Sequence, residues 1–120
     1  MIIFDTDVCL SLLGGNKKAI QLYADSAEQI CVSSVTVQEL FYAANISDAA
    51  ADNRVLAEQF LLTVRILHPD VRVLKYAADL QARLKKKRIR ANYTDILLYS
   101  LSRVYAATLV TTKKSRYCFT

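Results

Sequence analysis

The chain contains few of the residues that build disulfide frameworks, zinc sites or nucleotide-binding loops. Its 120 residues include three cysteines, two glycines, one proline and one histidine. An odd number of widely spaced cysteines is more typical of small core residues than of disulfides, and one histidine cannot form a zinc cluster. The two glycines, Gly14 and Gly15, are adjacent and follow a predicted helix. They cannot form a phosphate-cradling loop, so we do not expect a nucleotide cofactor.

Long apolar runs are also absent. No run approaches the roughly 18 residues that a membrane-spanning helix needs, and no charged-then-apolar signal segment precedes the first predicted strand. Together with the unpaired cysteines, this favours a cytoplasmic protein that does not associate with membranes. Hydrophobic residues make up 53% of the chain. At this length we expect one domain, over residues 1–120, that buries its core without a disulfide.

Short apolar runs alternate with longer helical patterns along the chain. The runs MIIF, QICVSS and TLVTT are typical of buried strands, and helices between them are typical of a parallel sheet. The predicted helices cover residues 7–13, 17–28, 35–46, 50–64, 71–87 and 93–107. The fold class is therefore α/β, with a short, mainly parallel sheet flanked by helices.

Apolar spacing within two of these helices predicts which side chains face the core. In the second helix they are Ile20, Leu22, Tyr23 and Ala27. In the fourth helix they are Val55, Leu56, Phe60 and Leu62, together with Gln59.

Three acidic residues, Asp5, Glu39 and Asp95, stand at predicted helix starts, and the first two lie at or just beyond strand ends. In open α/β sheets, ligands bind outside the carboxyl ends of the strands. Each acid also has an ordinary structural interpretation. Asp5 can cap the first helix, Thr36-x-x-Glu39 matches a capping box, and Asn92-x-x-Asp95 can begin the last helix.

If these three acids lie close together in the folded chain, capping alone does not explain their positions. Two carboxylates about 5 Å apart repel each other by roughly 3 kcal/mol at an effective dielectric constant near 20. A converged set must therefore be protonated or hold a cation. Oxygen ligands of this kind suit Mg²⁺ or Mn²⁺ better than zinc. Asp7, two residues after Asp5, is a secondary candidate ligand.

Positive charge is concentrated in the last third of the chain. From Arg83 onward there are ten Lys or Arg and one acid. The densest run, RLKKKRIR, can attract a polyanion or can simply be a solvated helix end. The candidate phosphate-binding residues in this part of the chain are Lys85, Lys86, Lys87, Arg88, Arg90, Lys113, Lys114 and Arg116.

Three segments, MIIFDTDVCLSLL, SSVTVQELFYA and NYTDILLYSLSRVYAATLVTT, resemble the acidic signatures of PIN-domain ribonucleases, especially VapC-type toxins. Asp5-Thr6-Asp7-Val8 resembles the family's Asp-Thr-Asn-Val, Glu39 its glutamate after Val-Thr, and Asp95 its helical aspartate. The resemblance covers nearly the whole chain and implies a three-layer α/β/α fold.

The resemblance also implies a function. It implies a Mg²⁺- or Mn²⁺-dependent endoribonuclease in which Asp5, Glu39 and Asp95 hold metal. Asp7, where the family has Asn, and Thr111, at the end of the last predicted strand, are secondary candidates as helpers. The resemblance implies a type II toxin that binds RNA and a cognate antitoxin and pairs with a second copy of itself. Tyr93 and Tyr117 are placed to stack on RNA bases.

One departure from the family pattern keeps other functions open. Where the family carries a fourth acid, this chain has Lys113 or Lys114 and then Arg116-Tyr117. A cation there favours a one-metal enzyme, or an impaired PIN-like module that binds RNA or protein without cutting. FDTDVCL also resembles the first motif of haloacid-dehalogenase-type phosphatases, although the later paired aspartates of that family are missing.

Overall fold

The computed structural model describes residues 1–119, and Thr120, the last residue of the expected domain, lies outside them. The strands of this part of the chain are β1 (Ile2–Phe4), β2 (Ile30–Ser33), β3 (Arg65–Leu67) and β4 (Thr108–Val110). Its helices are α1 (Thr6–Leu13), α2 (Lys17–Asp25), α3 (Ser34–Ile46), α4 (Ala50–Leu61), α5 (Val71–Lys86) and α6 (Tyr93–Val104). A 3₁₀ turn, Lys114–Tyr117, follows β4.

The four strands form one parallel sheet in the order β3-β2-β1-β4. In register, Ile3 of β1 stands opposite Cys31 of β2 and Leu109 of β4. The chain runs from β1 outward to β2 and β3, and then returns to place β4 on the other side of β1. The carboxyl end of β1 is therefore the point where the strand order reverses, which is where open α/β sheets bind ligands.

Helices cover both faces of the sheet. Phe4 packs with Val8 of α1 and Leu40 of α3 on one face. Its neighbour Ile3 packs with Leu101 of α6 on the other face. Successive residues of a strand point to opposite faces, so a strand covered on both sides is continuously apolar. This arrangement confirms the predicted three-layer α/β/α fold.

Side-chain caps begin five of the six helices, among them α1, α3 and α6, which carry the acids. Asp5 Oδ1 accepts a hydrogen bond from the Val8 amide at 2.9 Å. Ser33 Oγ accepts one from the Val35 amide at 3.1 Å, and Asn92 Oδ1 accepts one from Thr94 at 2.9 Å. These caps fix the angle at which each helix leaves the sheet edge. The first turns of α1 and α6, with their acids, are therefore held in place.

The strand β3 was missed by the sequence prediction. Residues 50–64 were predicted as one helix, but α4 ends at Leu61 and Arg65–Leu67 pair with β2. The strand has three residues, of which only Leu67 is buried. It is too short to show the alternation that identifies a half-buried strand.

The predicted inward faces of α2 and α4 were partly wrong. Ile20 and Leu22 are 44% and 45% exposed, and Leu62 is 87% exposed. Val55 and Leu56 are exposed as well, and the predicted second helix ends at Asp25, before Ala27. Phe60 of α4 is buried as predicted, and Ala19 of α2 and Ala57 of α4, which the spacing did not predict, are buried as well. Apolar residues occur on more than one face of both helices, so their spacing does not identify the packed face.

Two of the three cysteines lie in the core, where the sequence predicts them. Cys9 and Cys31 are fully buried and unpaired, as expected for core residues, whereas Cys118 is exposed. No helix within residues 1–119 is both long and apolar enough to span a bilayer.

Candidate active site

The fold brings the acidic residues to the carboxyl edge of the sheet. Asp5 follows β1, Glu39 lies in the second turn of α3, and Asp95 lies in the first turn of α6. A pocket of about 230 Å³ opens at this edge. It is lined by Thr6, Asp7, Glu39, Asn92, Thr94, Asp95 and Arg116. Three carboxylates therefore share one pocket, and Asp5 lies beside it at the base of α1.

Asp5 is held from two sides. It is 1% exposed, and its Oδ1 caps α1 through the Val8 amide. Its Oδ2 accepts a hydrogen bond from the Tyr117 hydroxyl at 3.4 Å. Burial, followed by the negative charges of Asp5 and Asp95, raises the pKa of Tyr117, so its hydroxyl stays protonated and donates. The structural role expected for Asp5, a helix cap, is thus real.

Glu39 is oriented by two threonines. The Thr6 hydroxyl donates to Glu39 Oε1 at 2.8 Å, and the Thr36 hydroxyl lies 3.0 Å from that of Thr6. Each hydroxyl has one proton. Since Thr6 gives its proton to a carboxylate, Thr36 must donate to Thr6. The capping box expected for Thr36 and Glu39 is wrong, because Ser33 caps α3 instead.

Asp95 and Asp7 share a guanidinium partner. Arg116 Nη1 lies 2.7 Å from Asp7 Oδ2, and Arg116 Nε lies 3.6 Å from Asp95 Oδ2. Burial raises the pKa of Asp95, Arg116 opposes that rise, and the charges of Asp5 and Asp7 add to it. Burial alone would lower the pKa of Arg116, but the two carboxylates more than offset this effect. The pocket is therefore strongly acidic, and Arg116 neutralises part of its charge.

The basic run lies beside this pocket. Lys85, Arg88 and Arg90 line a second depression together with Ile96, the residue after Asp95. All five basic residues of the run, Lys85, Lys86, Lys87, Arg88 and Arg90, are exposed. Tyr93, 54% exposed, lies between the run and Asp95 in the sequence. Residues that line the two depressions are adjacent in the chain at Ala91 and Asn92 and again at Asp95 and Ile96.

Three other candidates, Thr111, Lys113 and Lys114, do not line the acidic pocket. Lys113 and Lys114 are exposed. The Thr111 hydroxyl accepts a hydrogen bond from the Lys113 amide at 3.1 Å, which shapes the turn after β4. Thr111 and Lys114 line a different groove.

The donor chemistry of the pocket suits a hard divalent ion. Its acidic lining consists of carboxylate oxygens, which Mg²⁺ and Mn²⁺ prefer. In this conformation no three His, Cys, Asp or Glu side chains of residues 1–119 stand close enough together to form a metal site. Arg116 lies between Asp7 and Asp95 instead. The ligand types therefore fit such an ion, and a basic side chain of the same chain pairs with two of these carboxylates.

Sequence reasoning missed the contacts that orient the acids. Thr6 was noted only as part of the Asp-Thr-Asp motif, and Arg116 and Tyr117 were interpreted as RNA-contacting residues. One sequence feature pointed to an unusual role for Arg116: it stands where the family carries a fourth acid. Its two carboxylate partners are 109 and 21 residues away in the sequence, at Asp7 and Asp95.

The fold and pocket together define an α/β domain with an acidic site at the carboxyl edge of a parallel sheet. The profile of the PIN domain family matches residues 2–117 of the chain. The chain therefore belongs to the PIN-domain family. The match extends over nearly all of the sequence, so the haloacid-dehalogenase hypothesis is set aside.

Known relatives agree with this assignment. The tRNA(fMet)-specific endonuclease VapC of Salmonella typhimurium is 26% identical over 86 residues, which span 71% of this chain and 65% of that relative's length. The fold is similar to that of DNA-bound VapBC from Salmonella typhimurium, with a TM-score of 0.87 and 21% identity, covering 98% of this chain and 91% of the other. It is also similar to VapBC2 from Rickettsia felis bound to a promoter DNA fragment, with a TM-score of 0.81 and 24% identity, covering 99% and 95% of the two chains.

Proposed function

We propose that the chain is a Mg²⁺- or Mn²⁺-dependent endoribonuclease that acts as the cytoplasmic toxin of a type II toxin–antitoxin pair, with residues 1–120 forming one catalytic domain. The observation that carries this proposal is the convergence of Asp7, Glu39 and Asp95 on one pocket beside Asp5. The similarity to an RNA-specific endonuclease of Salmonella typhimurium supports the reaction type.

The catalytic assignments follow from the positions of the acids. Asp5, Glu39 and Asp95 would hold the ion, with Asp7 as a further ligand. When bound, a divalent ion lowers the pKa of a water molecule and offsets the charge of the phosphate. Glu39, fixed by Thr6, and Asp95, in the first turn of α6, supply oriented negative charge. Hydrolysis would replace the bond between phosphorus and the leaving ribose oxygen with a bond from phosphorus to a water oxygen, and a proton from that water would be transferred to the leaving oxygen.

RNA would lie across the basic run and the acidic pocket. Lys85, Lys86, Lys87, Arg88 and Arg90 are exposed beside the pocket and would bind phosphates by releasing counterions. Lys113 and Lys114 would extend this path from the turn after β4. Tyr93 is exposed next to Asn92 of the pocket and could stack on a base, so that the scissile phosphate reaches the carboxylates.

Two protein partners would bind different surfaces, the antitoxin at the acidic pocket and a second copy of the chain on an apolar helix surface. The antitoxin would cover or enter the pocket lined by Asp7, Glu39 and Asp95. The similarity to VapBC structures supports such a partner. Self-association would use Tyr42 and Ile46, which lie one turn apart on α3 and are 65% and 67% exposed. Sedimentation should then show a species of twice the 13.5 kDa chain mass, reduced to a monomer by Ile46→Glu.

A cleavage assay with metal and variants tests the enzymatic proposal. The purified protein should cut RNA with Mn²⁺ or Mg²⁺, and EDTA or Asp95→Asn should stop cleavage. Asp25→Asn is the matched control, because Asp25 is exposed at the end of α2 and does not line the acidic pocket. Cleavage that survives both EDTA and Asp95→Asn would refute a metal site at these acids.

A second candidate function is RNA binding without cleavage. The observation that favours it is the ion pair of Arg116 with Asp7, which neutralises a carboxylate that a metal would need. In that case RNA affinity would be unaffected by EDTA, and no cleavage would appear at any metal concentration. The same assay therefore separates the two functions.

A further inference from the structure

The turn after β4 places a cation inside the acidic pocket. Arg116 belongs to the short 3₁₀ turn Lys114–Tyr117 and lines the pocket together with Asp7 and Asp95. Its guanidinium uses two different nitrogens, Nη1 toward Asp7 and Nε toward Asp95. Within residues 1–119, Arg116 is the basic side chain that forms ion pairs with the acids of this pocket.

Neighbouring aromatic residues anchor this turn. Tyr117 donates its hydroxyl to Asp5, and Phe119, 7% exposed, packs edge-on against Tyr99 of α6 with ring centroids 5.1 Å apart. Tyr117 packs on Phe119 in turn, at 6.3 Å. These contacts fix the chain directly after Arg116, so the position of Arg116 is part of the folded structure. We call Arg116 and Tyr117 the C-terminal clamp.

We propose that the C-terminal clamp inhibits the site from within the same chain, because Arg116 competes with the divalent ion for the carboxylates of Asp7 and Asp95. This inference rests on the proposed metal-dependent function. One guanidinium already supplies the positive charge that these carboxylates require, and it separates two of them. A metal ion must therefore displace Arg116 before it can draw the acids together.

The clamp can be displaced because it is only partly shielded from water. The side chains of Arg116 and Asp7 are 31% and 34% exposed, and that of Asp95 is 12% exposed. Ion pairs with this much solvent contact contribute modestly to stability. Arg116 should therefore weaken metal binding by about three- to tenfold rather than prevent it.

Calorimetric titration with Mn²⁺ tests the competition directly. Arg116→Gln should bind Mn²⁺ about three- to tenfold more tightly than the wild type, whereas Arg116→Lys, which keeps the charge, should stay closer to it. Arg103→Gln is the matched control, since Arg103 is exposed in the last turn of α6, about 12 Å along the helix from Asp95. It removes the same charge outside the pocket and should leave Mn²⁺ affinity unchanged.

A second measurement follows Arg116 itself in the wild-type protein. In a Mg²⁺ titration monitored by NMR, the Nε–Hε resonance of Arg116 should shift with the same midpoint as metal binding, while that of Arg103 stays constant. Because this measurement uses the wild-type protein, it can be made even if Arg116→Gln fails to fold.

The outcomes separate this inference from the proposed function. If the wild type and Arg116→Gln bind Mn²⁺ equally, and Asp95→Asn does not bind, the metal site stands and the clamp inference is wrong. If the Arg116 resonance does not shift during the Mg²⁺ titration, the conclusion is the same. If neither protein binds Mn²⁺, both the inference and the metal-dependent function are wrong.

Discussion

The hydroxyl of Thr6, the first residue of α1, donates a 2.8 Å hydrogen bond to Oε1 of Glu39 in α3. Thr36, which is fully buried, donates to Thr6 in turn. Two helices that follow neighbouring strands are thereby joined by a relay of two hydroxyls and one carboxylate. The relay fixes the rotamer of Glu39, a carboxylate that lines the acidic pocket.

We expect Thr6→Val to lower RNA cleavage by about ten- to a hundredfold, because groups that orient metal ligands typically have effects of this size. Thr6→Ser keeps the hydroxyl and should restore most of the activity. A merely structural role of Thr6 would not predict this rescue. Single-turnover cleavage rates of the three proteins, at equal folded fractions by circular dichroism, provide the measurement. Equal rates for Thr6→Val and Thr6→Ser would show that the hydroxyl does not position Glu39.

Asp5 is expected to combine two roles that different substitutions separate. Asp5→Asn keeps a side-chain oxygen for the Val8 amide, and asparagine caps helices about as well as aspartate. This variant should unfold in urea like the wild type and yet fail to cleave RNA. Asp5→Ala loses the cap as well, and should lose about 1 kcal/mol of unfolding free energy.

Urea unfolding curves and cleavage assays on the same preparations decide between these roles. Full cleavage by Asp5→Asn would mean that Asp5 serves only as a helix cap. A large stability loss in Asp5→Asn would instead point to the charge as a structural requirement.

Sequence patterns predicted the layers of this fold well because its central strands are buried on both sides. Ile2–Phe4 is wholly apolar, and Ile30–Ser33 has one polar residue, Ser33, at its end, where it caps α3. Nearly continuous apolar runs of this kind are typical of strands covered by helices on both faces. The edge strand Arg65–Leu67 gave no such signal, since Arg65 is exposed and Ile66 only half-buried. Short edge strands are defined by their neighbours in the sheet more than by their own residues.

In the candidate site too, the sequence predicted features that depend on neighbouring residues and missed contacts between residues far apart in the chain. Asp5 and Asp95 were identified because each stands at a strand end or helix start that the sequence marks. The partner of Asp7 was not predictable from local pattern, because Arg116 reaches it only after the sheet has brought the two ends of the chain together. Likewise, Thr36-x-x-Glu39 has the local pattern of a capping box, but in the folded chain Glu39 accepts a hydrogen bond from the hydroxyl of Thr6.

The basic run should contribute to RNA affinity through phosphate contacts. Lys86→Gln with Lys87→Gln removes two exposed charges near the end of α5. Each lost phosphate contact should reduce the slope of log affinity against log salt by about 0.7 for single-stranded RNA, so the double variant should reduce it by about 1.4.

The matched control for the basic run is Lys17→Gln with Lys18→Gln. These lysines begin α2, which does not line the acidic pocket. Because the helix dipole does not favour cations at a helix start, removing these two charges should not destabilise α2. Binding should be measured with a catalytically inactive Asp95→Asn background so that the RNA stays intact. Equal salt slopes in the two double variants would show that the run does not contact RNA.

Asp70, which does not line the acidic pocket, should provide a pH-dependent contribution to stability. Its carboxylate caps α5 by accepting the Val73 amide at 3.1 Å, and its Oδ2 accepts Arg72 Nη2 at 3.0 Å. These interactions, with the Val73 hydrogen bond first and Arg72 second, hold the pKa of Asp70 below its ordinary value of 3.8. The unfolded chain lacks both contacts and so binds a proton at higher pH than the folded chain does.

A lowered folded pKa means that the contribution of Asp70 is present above pH 3.8 and is lost as the pH falls through the folded value. Asp70→Asn keeps the helix cap but cannot titrate or pair with Arg72. The wild type should therefore be more stable than this variant near neutral pH, and the difference should disappear in strong acid. Urea unfolding of both proteins across the acid range measures this difference at each pH. A difference that stays constant down to the lowest pH would show that the charge of Asp70 does not stabilise the fold, because only the charged form can pair with Arg72.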